Sequence, residues 1–354
     1  MGQRGKLCAR AAATLAAALF SAGALAEESA GALYGDLRLS LDYADDNSAA
    51  VGPSYASTDN NSVWGVKAST LRGGVTVFGA YERFIDNDDP ALPNTPVEFT
   101  RLAYLGLSSF CGTLKFGRHP TAYAEAGRKL DPFYNTAAAG AAGIAGIGSM
   151  FRGGNSHGSA TAFNADFLGN AISANHFAYQ TPAFHGVTGN VAMIIDEAQS
   201  ADQDHDYGAG LEYRGHGVTA GAQYLEANGA NDATWGAGID ATRLHAGYAG
   251  DRFGVGATVE WIDLPSPGND ADYLMVSGWY GVREDTRIAA SFGLENDSAT
   301  DGDSLRFGVF HDVIDGFTVW VAARRYNERV AANPDADVVT LGASYKFSLG
   351  FGPT

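Results

Sequence analysis

The residues able to do chemistry in this 354-residue chain are eight histidines, two cysteines and several groups of carboxylates, and their spacing withholds most of it. No histidine pair has the HExxH pattern, and Cys8 and Cys111 form no CxxC, so no zinc site is spelled out. No GxSxG elbow marks a serine nucleophile. Gly143-Ile144-Ala145-Gly146-Ile147-Gly148 is glycine-rich, but the lysine of a phosphate loop does not follow. Asp86, Asp88 and Asp89 crowd together without the spacing and glycine of a calcium loop. No cofactor and no enzyme activity is indicated. A lone histidine facing water is more often a solvated polar residue than a ligand.

What the charged residues can do is set a field. The chain has 23 Lys and Arg against 40 Asp and Glu, a net charge of −17. A general nucleic-acid binder needs clustered bases and is excluded on that balance. The mean hydropathy is −0.11, and beyond residue 30 no apolar run approaches the ~20 residues of a spanning helix. Arg4, Lys6 and Arg10 precede the apolar run Ala11–Phe20, and Ala24-Leu25-Ala26 offers small residues for cleavage. That is the layout of a secretory signal over residues 1–26, with an N-terminal membrane anchor as the alternative. Its removal leaves 20 bases, 40 acids and the single Cys111, so no internal disulfide can form.

The elements that must position these charges have a period of two. In the stretch 338–347, Val339, Leu341, Ala343, Tyr345 and Phe347 alternate with Thr340, Gly342, Ser344 and Lys346. Phe253, Val255, Ala257, Val259 and Trp261 alternate with Gly254, Gly256, Thr258 and Glu260, and Leu37, Leu39 and Leu41 with Asp36, Arg38, Ser40 and Asp42. Such stretches are strands with one apolar face. Short glycine-containing turns fall near 70–74, 108–112, 182–186, 214–217, 250–252, 282–285 and 313–316. Long polar connections fall near 44–61, 85–99, 119–172, 196–206, 226–238, 263–271, 295–303 and 327–337.

Seven short and eight long connections in alternation join sixteen strands. This predicts an all-β fold, a 16-stranded antiparallel transmembrane barrel over residues 27–354, spanning outer-membrane lipid. A soluble sandwich shares the period but not the segregation of short and long connections. Tyr43, Tyr104, Trp261, Trp279, Tyr345 and Phe347 sit near strand ends, where girdles at the bilayer surfaces want aromatics. At about sixteen strands the interior is too wide for side chains to fill, so a hydrated lumen follows.

The long connections and strand ends beside them carry 26 of the 40 acids. An acidic mouth raises the local cation concentration. The connection 119–172 is read as a structureless loop, uncommon unless functional. Its uncharged part, Ala137–Met150, is too short to span a bilayer. Folded inward it narrows the channel; a surface flap is the alternative.

The run Arg101-Leu102-Ala103-Tyr104-Leu105-Gly106-Leu107-Ser108, followed by Gly112-Thr113-Leu114-Lys115-Phe116-Gly117-Arg118, resembles the fourth and fifth strands of Gram-negative general porins. Leu33-Tyr34-Gly35, Gly65-Val66-Lys67, Asp131-Pro132-Phe133 and Tyr179-Gln180-Thr181-Pro182 are similar in order along residues 31–347. The resemblance implies a homotrimer passing ions and small hydrophilic solutes passively, with the third loop folded inward so that its acids face bases on the wall. It carries Arg118 to the base just before the loop, and Lys67 and Arg101 to lumenal positions. Alternation adds Arg38. Lys115 shares a face with Arg118 only through a bulge, for which Gly117 is suited. On the loop, Asp131 is the first candidate, then Glu125 and Asp166.

Val63 and Gln180 stand where the family commonly has bases, and the thinner basic wall together with the acidic mouth favours cations. Cys111 takes a turn position usually held by Phe, and the chain continues from Phe347 through Leu349 and Phe351, which implies a longer last strand. The competing readings are a substrate-specific channel, a plugged structural or adhesive barrel, and a barrel phospholipase.

Overall fold

The computed structural model describes residues 28–45, 53–85, 100–139, 172–195, 205–227, 239–263, 271–297, 302–328 and 336–351. They form one antiparallel sheet that closes on itself. Its segments are β1 (Glu28–Asp45), β2 (Ser54–Thr58), β3 (Val63–Arg72), β4 (Val75–Phe84), β5 (Thr100–Ser109), β6 (Gly112–Pro120), β7 (Ile172–Gln180) and β8 (Val187–Ile194). There follow β9 (Asp206–Gly215), β10 (Val218–Ala227), β11 (Ile239–Ala249), β12 (Phe253–Asp263), β13 (Ala271–Gly281), β14 (Thr286–Asp297), β15 (Gly302–Ile314), β16 (Phe317–Glu328) and β17 (Ala336–Phe351).

Seventeen segments make sixteen staves. β2 pairs with residues 40–44 of β1 and β3 with residues 28–36, so the two are one stave broken at 59–62. Asn60 and Asn61 take φ +46° and +63° at the break, a backbone that asparagine tolerates better than most residues. β2 lay inside the first long connection of the sequence reading. It was missed because five residues carrying one large apolar side chain, Tyr55, show no measurable period.

Closure runs the length of the barrel, from Gly31 opposite Phe351 to Asp45 opposite Asp337. The last strand therefore does continue past Phe347, and Leu349 and Phe351 stay exposed on its outer face. Short turns join staves at one end: Gly73-Gly74 and His216-Gly217 each hold two positive φ angles, as a two-residue hairpin requires.

The faces are inverted relative to a soluble protein. On β1, Leu39 and Leu41 are 51% and 66% exposed, whereas Ser40 and Asp42 between them are about 5% exposed. On β15, Leu305 and Phe307 are exposed while Ser304 and Arg306 are buried. Hydrocarbon can wet such an exterior only because closure gives every wall amide a partner within the sheet. Two aromatics expected in the outer girdles turn inward instead. Tyr104 pairs with Gly117 on the face of Lys115 and His119, and Trp279 packs beside the cluster of Phe133, Phe310 and Trp320. Alternation, not nearness to the strand end, decides their direction.

The third long connection is not structureless throughout. Residues Ala122–Arg128 form a short helix, α1, with the Thr121 hydroxyl accepting from the Ala124 amide at 3.0 Å as N-cap and Arg128 in the last turn. A single 3-10 turn follows at Ala137–Ala139. The rest of Ala137–Met150, together with Asp166, lies outside the described residues.

Candidate functional site

The lumenal face has two unlike sides. On the staves from β1 to β6 it carries bases, most of them answered locally. Arg38 is paired with Asp36 and donates to the carbonyls of Asn60 and Asn61 at 3.4 and 3.1 Å. Arg101 is paired with Glu82, a 3% exposed carboxylate. Strict alternation from Tyr104 would have turned Arg101 outward. The ladder slips between Glu82 and Arg83, leaving Arg101 as the extra residue of a bulge, and the bulge aims it inward. The Lys67 ammonium lies 5.5 Å from the Tyr34 ring and that of Lys115 5.6 Å from the Tyr104 ring.

Arg118 stands apart from that set. Its strand runs without a break against β5, so Arg118 lies opposite Ala103, one step out of phase with Lys115 opposite Gly106. Gly117 has φ +124°, and an irregularity does fall beside it. The extra residue, however, is on β7, where Asn175 has φ +51°. His119 and His176, 2% and 1% exposed, stack there with centroids 3.9 Å apart.

On the staves from β9 to β17 the inner face holds residues 121–139. Two ion pairs pin them. Arg243 of β11 meets both oxygens of Glu260 on β12 at 3.1 and 3.0 Å, with neither side chain exposed. The Tyr123 hydroxyl donates to the same carboxylate, its carbonyl accepts from Arg243 at 2.7 Å, and its ring lies 4.2 Å from the guanidinium. Burial pushes the Tyr123 phenol well up, and the Glu260 charge adds to it against Arg243.

Further along, Asp131 accepts from Arg306 at 2.9 Å. Ser277 donates to the Leu130 carbonyl, and Phe133 fills the space over Gly308 beside Phe310, Trp320 and Ala322. Glu125 keeps to its own helix, 3.7 Å from Lys129 and half exposed. Burial holds the Arg128 guanidinium below its usual range; Arg101 and Arg243 act in the same direction, against Tyr134 and Glu125. α1 thus lies within electrostatic reach of both sides. Beneath it, at the short-turn end, a cavity of about 740 Å³ is lined by Lys129, Leu130, Pro132, Trp279, Arg252 and Arg287 among others.

Of the bases named from sequence, Arg38, Lys67, Arg101 and Lys115 share the lumenal face, but Asp131 meets none of them. Its partner is Arg306, a residue sequence reasoning passed over. Glu82, Arg243, Glu260, Arg306 and Arg324 were all missed as site residues. Each is a charge between outward-facing neighbours on a strand of period two, which was the available signal. Among the described residues no group of three His, Cys, Asp or Glu could hold a metal ion.

A closed antiparallel barrel, apolar outside and polar within, is a channel-type protein of an outer membrane. The chain belongs to the Gram-negative porin family, whose model matches residues 11–351. Three solved structures show the same fold. An anion-selective porin from Comamonas acidovorans superposes with TM-score 0.74 at 18% identity, over 90% of this chain and 100% of that one. OmpF of Salmonella typhi, solved with daunomycin, gives 0.67 at 16% identity over 89% and 97%. OmpT of Vibrio cholerae in its trimer form gives 0.60 at 15% over 91% and 100%. No curated protein matches.

Proposed function

We propose that the lumen conducts ions and small hydrophilic solutes passively, sieved by size where the third connection crosses it, and that cations are favoured. The observation that carries the reading is the pairing of the inner bases. Arg38, Arg101, Arg243 and Arg306 each sit against a carboxylate, as does Arg214 against Glu212. A paired base adds little net field, so the acid of the long connections outweighs the bases left unpaired on the wall. Across the passage, Lys67 and Lys115 keep a positive side that orients dipolar solutes.

Residues 1–26 are proposed as a cleaved signal, Asp131, Glu125 and Asp166 as the loop acids of the constriction, and the assembled state as a homotrimer. The mass of the membrane-inserted chain and chemical cross-linking test the first and last. Single-channel recording in a planar bilayer under a salt gradient tests conduction. Stepwise ohmic currents with a cation-favouring reversal potential are expected, and silence would return the reading to a plugged barrel. A second reading, anion preference, is favoured by the arginines of β15 and β16 and by the likeness to an anion-selective porin. The sign of the same reversal potential decides between them.

A further inference from the structure

The inner face of β15 to β17 holds positive charge that the chain does not answer. Arg306 and Arg324 are ladder partners on neighbouring strands, both turned inward, 1% and 7% exposed. Arg306 is largely satisfied: it donates to Asp131 and to the Ser291 hydroxyl, each at 2.9 Å, and faces the Met275 sulfur at 3.5 Å. Arg324 is not. Its Nε and Nη1 are buried without a hydrogen-bond partner, and so is the Nε of Arg306. Ser304 lies on the same face two residues before Arg306, and Thr340 lies opposite Ala322, two residues from Arg324. Both hydroxyls are 0% exposed, and both lack a partner.

Two nearby acids do not close the account. Asp337 acts on Arg324 only through space, with no ion pair between them. Asp42, the ladder partner of Thr340, takes a hydrogen bond from Thr58 on one oxygen and leaves Oδ1 unpartnered. Three buried donors, Arg324 Nε and Nη1 and Arg306 Nε, therefore lie side by side on neighbouring strands, with Ser304 one ladder row to one side and Thr340 one row to the other. Buried donors and like charges side by side are both unfavourable unless an acceptor of opposite charge joins them. Neighbouring guanidinium groups suit an anion with several oxygens.

We infer that this niche is an oxyanion site, in which Arg324 Nε and Nη1 and Arg306 Nε donate to a small phosphate or carboxylate. It lies on the wall that holds residues 121–139, away from the bases of β1 to β6, and it stands whether or not the barrel conducts.

The test is calorimetry on the full chain in detergent micelles, titrated with inorganic phosphate and separately with succinate at constant ionic strength. Saturable binding of at least one is expected, weakened at least tenfold in Arg324→Gln. Heat-modifiable gel mobility establishes that each variant is a folded barrel. If Arg324→Gln does not fold, Arg324→Lys keeps the charge but removes the planar fork, and again a tenfold loss is expected. No saturable heat in the millimolar range, equal heat in the variants, or equal binding of chloride would each overturn the assignment.

Discussion

Replacing Glu260 by Gln tests whether residues 121–139 are held where they lie by the Arg243–Glu260–Tyr123 cluster. The side chain keeps its volume, but Arg243 loses the carboxylate it is paired with while remaining 0% exposed. Removing one member of a buried pair costs about 3–5 kcal/mol. Arg243 retains the Tyr123 carbonyl at 2.7 Å and the ring at 4.2 Å, so the low end, about 3 kcal/mol, applies. Releasing α1 would rehydrate Arg243, so the docked-to-released ratio should fall by about a hundredfold, at 1.4 kcal/mol per factor of ten.

Tyr123→Phe removes one hydrogen bond to a charged acceptor and leaves the ion pair, about 1.5–3 kcal/mol, a milder form of the same effect without any change of charge. The assay is open-channel noise and subconductance in single-channel recordings, with thermal unfolding of the micellar protein beside it. Noise should rise in both variants, more in Glu260→Gln, and the double variant should add little to it because the two act through one cluster. Wild-type noise and an unmoved unfolding transition in both would refute the reasoning: the segment would then be held by Asp131 and Phe133 alone.

Asp131→Asn leaves Arg306 buried without its counter-charge; the reversal potential should move toward anions and stability should fall by about 3–5 kcal/mol. An unmoved reversal potential would take Asp131 out of the field of the pore. Leu341→Arg puts a charge on the lipid face midway along β17, at a side chain 56% exposed, and should cost about 2–4 kcal/mol in urea unfolding from vesicles. Gly117→Ala meets both φ +124° and the Ala103 carbonyl oxygen at 2.3 Å from the new Cβ, and should lower stability by about 1–3 kcal/mol, read as the loss of heat-modifiable mobility at a lower temperature.

The barrel was legible because both of its signals are local. Alternation along a strand such as Val338–Phe347 needs only neighbours, and the sorting of connections into short and long needs only turn residues. What strand spacing alone could not give needed more. Arg101 faces inward because of a bulge against β4, which no spacing within β5 records. α1 had a local signal, a threonine cap and an alanine-rich turn, but seven residues are too few to stand out in a connection of fifty. Asp131 was singled out from the loop, yet its partner lies 175 residues away, and period two gives the face of Arg306 without its depth in the barrel.

That distance bears on how a porin wall can hold a segment of its own chain. A lumenal face must stay wettable, so it cannot offer the continuous apolar surface that docks a loop elsewhere. Here the apolar contact is a small patch, Phe133 and Ala138 against Ala289, Phe310, Trp320 and Ala322, with Leu130 over Gly247 and Gly256. A small patch of that kind supplies attraction but little register, since aromatic contacts tolerate sliding. Two buried anchors, Tyr123 on the Arg243–Glu260 pair and Asp131 on Arg306, fix the described segment at two points to β11–β12 and to β15. The net contribution of the Asp131–Arg306 pair to stability is small once desolvation is counted, but a shift of the segment by one residue would strand those buried charges, which costs several times more. Placement by penalty also explains the choice of arginine on the wall. Its planar fork bonds carbonyl and carboxylate together, as Arg243 does with Tyr123 and Glu260, where a lysine would leave the direction open.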